Sequence, residues 1–176
     1  MIVELRQYTL HPGRRDELIE LFDREFVETQ EALGIVVLGQ FRDLDDPDKF
    51  VWLRSFPDMV ARKEALTAFY GGPVWAAHRD QANATMIDSD DVLLLRPVGD
   101  FPVPPRDGRA PRLILITERP TAGEEIARLR TEHAENTFPD LPIRQDIQVD
   151  IRIVAAKGDA EPGPLRLAPT ARSRLR

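Results

Sequence analysis

At 176 residues, with 42% hydrophobic and 31% charged residues, the chain has enough apolar material to bury a real core as one globular domain or two small ones. It has no cysteine, which excludes disulfides, thiolate metal sites and a cysteine nucleophile. Residues 1–97 carry 11 Lys+Arg against 18 Asp+Glu, and residues 98–176 carry 13 against 12. An acidic main body argues against a nucleic-acid groove, which needs clustered cations to replace counterions.

No apolar run approaches the ~20 residues that span a bilayer, so no membrane partner is expected. The first residues enter a strand-like alternation without the basic start and apolar stretch of a signal peptide, and a cytoplasmic location is the expectation. Arg166, Arg172, Arg174 and Arg176 close the chain without an acid among them, which reads as a flexible, solvated tail.

Ile2 to Leu10 alternates as a strand, with Glu4, Arg6 and Tyr8 on one face and Val3 and Leu5 on the other. Neither face is purely polar, so both are expected to be covered. After Pro12-Gly13, Asp16 to Leu33 has helical period, with Leu18, Phe22, Phe26 and Leu33 in one apolar stripe and Gly34 as the stop. Two strands, Ile35–Arg42 and Lys49–Phe56, flank a connector rich in Asp and Pro and form a hairpin. Asp58 is a helix N-cap, and the helix to Tyr70 buries Met59, Leu66 and Phe69. Gly71-Gly72 ends that helix and Pro73 starts another, on which Trp75, His78 and Ala82 share a face. Val92–Leu95 is a closing strand.

The order is β-α-β-β-α-β, the ferredoxin-like α+β arrangement. One antiparallel sheet has helices on one side, and strands with two apolar faces require a second sheet on the other. Either a dimer partner or a second copy within the chain supplies it. Residues 98–111, with Pro102, Pro104, Pro105, Gly108 and Pro111, compose a linker. Beyond it, Arg112–Thr117 and Gln148–Ala155 read as strands, Ile126–Glu132 as a strand or short helix with strand preferred, and Pro164–Pro169 as an edge segment. The prolines of residues 137–142 mark a fixed loop. Residues 112–176 therefore form a smaller, partly degenerate β-rich half.

Three stretches, VELRQYTLHPGRRDELIELF, FVWLRSFPDMVARKEAL and FYGGPVWAAHR, resemble the NIPSNAP family over roughly residues 2–97. That family belongs to the dimeric α+β barrel superfamily, in which two ferredoxin-like sheets pack face to face. The resemblance implies a homodimer with a pocket between sheet and helices. The wider superfamily includes cofactor-independent monooxygenases, isomerases, cyclases, haem-degrading enzymes and non-catalytic binding proteins. No catalytic signature of those enzymes occurs here, so the resemblance carries over no catalytic residue.

The residues themselves nominate a site. His78, beside an indole, suits a general base near neutral pH. Arg54 shares a strand face with Phe50, Trp52 and Phe56; with Arg6 it can hold an anionic oxygen while Tyr8 donates a hydrogen bond, or it can simply pair with Glu4. Trp52, Tyr70, Trp75 and Phe69 line an aromatic pocket or an aromatic core. The acidic turns at residues 43–48 and 88–91 lack the glycine and distal glutamate of a calcium loop, and no metal site is expected. His11 and His133 carry no assigned role. The leading expectation is a protein that binds a small aromatic or carbonyl compound and transforms it without a cofactor, with His78, Arg54 and Tyr8 as catalytic candidates and Arg6, Trp52, Tyr70 and Trp75 as ligand contacts. A non-catalytic dimeric binding or assembly protein is the alternative, and haem binding through His78 a third.

Overall fold

The computed structural model describes residues 1–106, 109–156 and 164–176; Gly108 of the expected linker lies outside them. Its first half follows the order read from periodicity. Strand β1 (Ile2–Leu10) leads to α1 (Arg15–Leu21), a π-helical turn (Phe22–Phe26) and α2 (Val27–Ala32). The hairpin β2 (Val36–Asp43) and β3 (Lys49–Phe56) precedes α3 (Met59–Tyr70), α4 (Pro73–Asn83) and β4 (Met86–Pro97). The local signals act as expected. Gly34 takes φ +82° just after α2, and Asp58 Oδ1 accepts from the backbone N–H of Val60 and Ala61 at 2.9 and 2.8 Å. All strand pairs are antiparallel, in the order β2-β3-β1-β4.

The second half consists of β5 (Ile114–Thr117), β6 (Gly123–Thr131), β7 (Asp150–Ala156) and β8 (Leu165–Pro169), in the order β6-β7-β5-β8. Both halves thus place their second, third, first and fourth strands side by side. The second half is a ferredoxin-like sheet without helices among its described residues; Glu118 to Ala122 joins β5 to β6 where the first half has α1 and α2. The seams β2–β8 and β4–β6 each join a second strand to a fourth, closing one eight-stranded barrel with pseudo-twofold symmetry.

The alternation in β1 and β3 separates two cores. Val3, Leu5, Val51 and Leu53 point into the barrel against Ile114 and Ile153, whereas Tyr8, Leu10, Phe50 and Trp52 point outward under the helices. Each fully buried side chain of this kind is worth about 1.5–3 kcal/mol. The cover for the inner face, expected from a dimer partner or a second copy in the chain, comes from the chain itself. A homodimer formed through that face loses its physical motive.

Some expectations about the fold fail. Met59 is half-buried rather than buried under its helix, and the last segment, expected at an edge, is β8, paired on both sides with β2 and β5. Leu33 is 38% exposed rather than part of the helical stripe. The π-helical turn is wider than an α-turn, so the buried face runs Phe22, Phe26, Gln30 and leaves Leu33 outside. The arginine-rich tail is docked, not a flexible solvated end. Leu175 is buried, Arg174 Nη2 lies 3.0 Å from Glu31, and Arg172 pairs with Glu28. The backbone N–H groups of Arg174 and Leu175 both donate to the Leu38 carbonyl.

Candidate ligand site

The outward face of β1 presents Glu4, Arg6 and Tyr8 at alternate positions, and that of β3 presents Phe50, Trp52, Arg54 and Phe56. The β1–β3 register sets Glu4 opposite Arg54, Arg6 opposite Trp52 and Tyr8 opposite Phe50. Helix α3 covers this face and contributes Arg62, which occupies the same buried stripe as Leu66 and Phe69.

Three guanidinium groups converge on one carboxylate. Glu4 Oε2 accepts from Arg6 Nη1 at 2.9 Å and Arg54 Nε at 2.8 Å, while Oε1 accepts from Arg62 Nε at 2.7 Å. None of the four is more than 1% exposed. Burial alone would raise the Glu4 carboxyl; the charges of Arg54, Arg6 and Arg62 overcome it and hold the group well below the usual carboxylate range. Arg54 Nη1 donates to Gln30 Oε1 and Arg62 Nη1 to Asn136 Oδ1, both at 3.0 Å. Arg6 Nε donates to the Tyr8 hydroxyl at 3.0 Å. Burial pushes the Tyr8 phenol up from its ordinary value, so it remains protonated near neutral pH.

Above this layer lies a cavity of about 30 Å³ between the sheet and the helices. Tyr8, Phe26, Trp52, Phe69, Tyr70 and Trp75 form much of its wall, and Gln30 adds a polar group. Their rings meet mostly edge to face, as Tyr70 on Trp75 at 4.9 Å between centroids and Phe22 on Trp52 at 4.7 Å. Arg54 Cζ stands 5.0 Å from the Trp52 ring centroid, placing cationic charge behind the aromatic wall. A space of this size holds a water molecule or two, not an aromatic compound.

The structure brings together six of the seven residues nominated from sequence. Arg54, Arg6, Tyr8, Trp52, Tyr70 and Trp75 all belong to the cluster or the cavity wall. His78 does not line the cavity. Its ring packs on Phe26 at 6.4 Å, on the same helix face as Trp75, but Nε2 lies 3.5 Å from Glu25 Oε2 and the side chain is 28% exposed. The acidic turn at residues 43–48 organises backbone: Asp43 Oδ1 accepts from the N–H groups of Asp45 and Asp46. No group of three or more His, Asp or Glu side chains fit to hold a metal occurs among the described residues. No helix among them is long and apolar enough to cross a membrane.

Arg62, Gln30 and Asn136 were missed by the sequence reading. Arg62 was detectable, since Met59, Arg62, Leu66 and Phe69 repeat at helical spacing. Gln30 follows Phe22 and Phe26 at intervals of four, a signal disguised by the π-turn. Asn136 had no local signal: it lies on the long β6–β7 connection, which returns over the helices. There Thr137 Oγ1 donates to the Met59 carbonyl, and Phe138 stacks on Tyr70 at 5.9 Å.

An α+β barrel with helices on one of two ferredoxin-like sheets, and an arginine–carboxylate cluster beneath those helices, defines the class. The chain belongs to the NIPSNAP family, whose sequence model matches residues 3–102. Similar solved structures include a NIPSNAP-like domain protein from Burkholderia xenovorans, 25% identical with TM-score 0.53, covering 59% of this chain and 91% of that one. A NIPSNAP family protein with unknown function from Agrobacterium tumefaciens is 19% identical with TM-score 0.53, covering 58% and 93%, a likeness of fold alone. A search of curated proteins finds no match. The family match contains Glu4, Arg6, Arg54 and Arg62, whereas Asn136 and β5–β8 lie beyond it.

Proposed function

We propose that this protein binds a small, flat organic molecule bearing a carbonyl or carboxylate oxygen in the aromatic cavity between β1, β3 and the helices. The observation that carries the reading is the unpartnered, buried indole N–H of Trp52, a cavity-lining residue whose ring packs against the Arg54 guanidinium. A buried donor without an acceptor among the described residues costs about 1–3 kcal/mol, a cost that a ligand oxygen removes. Such a ligand enlarges the cavity by moving side chains of the helical cover. The cover is interrupted at two places beside the cavity, the π-turn carrying Phe22 and Phe26 and the Gly71-Gly72 break between Tyr70 and Trp75. π-turns recur at functional sites.

Turnover is not part of this reading, because the expected base, His78, stands outside the cavity wall and faces Glu25. The cytoplasmic location belongs to the same proposal. So does self-association, which would use a surface other than the occupied inner sheet face.

A second reading, a non-catalytic binding or assembly protein without a ligand at this place, is favoured by the fully paired Glu4 and the small cavity. Intrinsic fluorescence separates the two, since both tryptophans of the chain line the cavity. Saturable quenching or a spectral shift with flat aromatic carbonyl compounds, altered in Trp75→Phe, supports the ligand reading. A flat response across such a panel leaves the structural one.

A further inference from the structure

We infer that the occupant of this site is an anion, a small planar carboxylate whose charge is held by Arg54 and Arg62 and whose ring lies among Trp52, Tyr70 and Trp75. The inference rests on the proposed cavity for the ring, and independently on the arginine cluster for the charge.

The hydrogen-bond census of the cluster is short of acceptors, not of donors. Both Glu4 oxygens are engaged by arginines, Gln30 Oε1 takes Arg54 Nη1, and Asn136 Oδ1 takes both Arg62 Nη1 and the Phe138 N–H. Arg54 Nη2, Arg62 Nη2 and Trp52 Nε1 remain buried without a partner among the described residues. Native interiors rarely leave buried polar atoms unmatched; where protein offers no partner, a bound water or ion supplies it.

Charge distinguishes those two. Water can accept the orphaned hydrogens, but it leaves three guanidinium charges facing one carboxylate, all four side chains at 1% exposure or less. The Tyr8 phenol, protonated near neutral pH, supplies no negative charge. Uncompensated buried charge is strongly unfavourable, and an anion supplies both the missing acceptors and the missing charge. Carboxylate is the form that planar guanidinium groups recognise best, and the flat wall above them suits a conjugated acid.

The test uses the full chain with three probes: formate, benzoate and benzamide, against chloride at equal ionic strength. Formate carries the anionic head without the ring, and benzamide the ring with a neutral head. The melting temperature and tryptophan fluorescence report each. Benzoate is expected to bind roughly tenfold or more tightly than benzamide, in keeping with hydrogen bonds to charged groups. Formate is expected to raise the melting temperature above the chloride control. Arg54→Met removes the preference for benzoate; should that variant fail to fold, Trp52→Phe, which deletes one donor and keeps a ring, reduces the preference severalfold. Benzamide binding as tightly as benzoate overturns the anion and leaves the cavity reading standing. Formate protection without any aromatic binding sustains the anion and removes the cavity reading. No response to any probe overturns both.

Discussion

Glu4 and Arg54 stand directly opposite one another on β1 and β3, with Oε2 2.8 Å from Nε and neither side chain exposed. The pair cannot be treated as an ordinary surface salt bridge. Glu4 is, among the described residues, the one carboxylate directly bonded to three buried guanidinium groups, so Glu4→Gln keeps the shape and removes the counter-charge. Breaking a buried pair in this way costs about 3–5 kcal/mol. A urea midpoint that moves by less than about 1 kcal/mol equivalent would show that solvent reaches the cluster after all.

Titration pulls on the fold in two directions. Glu4 has a folded value far below its ordinary 4.5, so its stabilisation is complete above that pH and is lost as the pH falls. Asp23, on the π-turn, behaves oppositely. Burial pushes its carboxyl up from 3.8 to about 6, against the nearby charges of Arg172, Arg42 and Arg106, so its contribution is present below 3.8 and lost as the pH rises through about 6. Gln40 Nε2 donates to Asp23 Oδ1 at 3.3 Å, a bond that an asparagine oxygen also accepts. Asp23→Asn is therefore expected to be more stable than the native chain at pH 7 and to show little advantage at pH 4. Equal gains at both pH values would exclude a titrating carboxylate as the cause.

The long β6–β7 connection is fastened to the helices chiefly through Asn136, which accepts from Arg62 and donates to the Leu141 carbonyl. Asn136→Ala should cost about 1–3 kcal/mol, because it leaves a further buried guanidinium nitrogen without its partner. Asp140→Ala, on the exposed part of the same connection, should stay within about 0.5 kcal/mol. Comparable losses in both variants would place the fastening elsewhere.

The docked tail makes a prediction that a solvated tail does not. Leu175 is 1% exposed and belongs to the barrel core. Leu175→Ala should destabilise by about 2–5 kcal/mol, the range for emptying a buried leucine site. An unchanged melting temperature would restore the reading of a free end.

Much of the fold was legible because its signals are local. Alternation in Ile2–Leu10 placed Glu4, Arg6 and Tyr8 on one face, the Asp58 cap and Gly34 stop bounded helices, and apolar alternation located β5 and β7. By contrast, β6 was ambiguous between strand and helix, and β8 was read as an edge although it pairs on both sides. The candidate site was legible as far as strand faces extend. Arg54 with Glu4 followed from pairing two strands, but the third arginine required treating a charged residue as part of a helix's buried stripe. His78 was misplaced for a related reason: sharing a helix face with Trp75 fixes its direction only to within a turn, and the neighbouring Glu25 is set by tertiary packing. The tail arginines looked unopposed in sequence, yet their partners Glu28 and Glu31 lie more than a hundred residues earlier. No periodicity reports a contact of that range.

Closure of the barrel within one chain has a consequence for stoichiometry and for inheritance. Two identical subunits would carry two equivalent sites and would repeat each substitution in both. Among the described residues helices cover one sheet only, so the proposed ligand has one site per barrel, and a titration is expected to saturate at one ligand per chain without cooperativity between twins. The β6–β7 connection that supplies Asn136 is the positional counterpart of the short β2–β3 turn, and the two can change independently. Specificity at the proposed site can therefore evolve through one loop while its structural twin stays a tight turn.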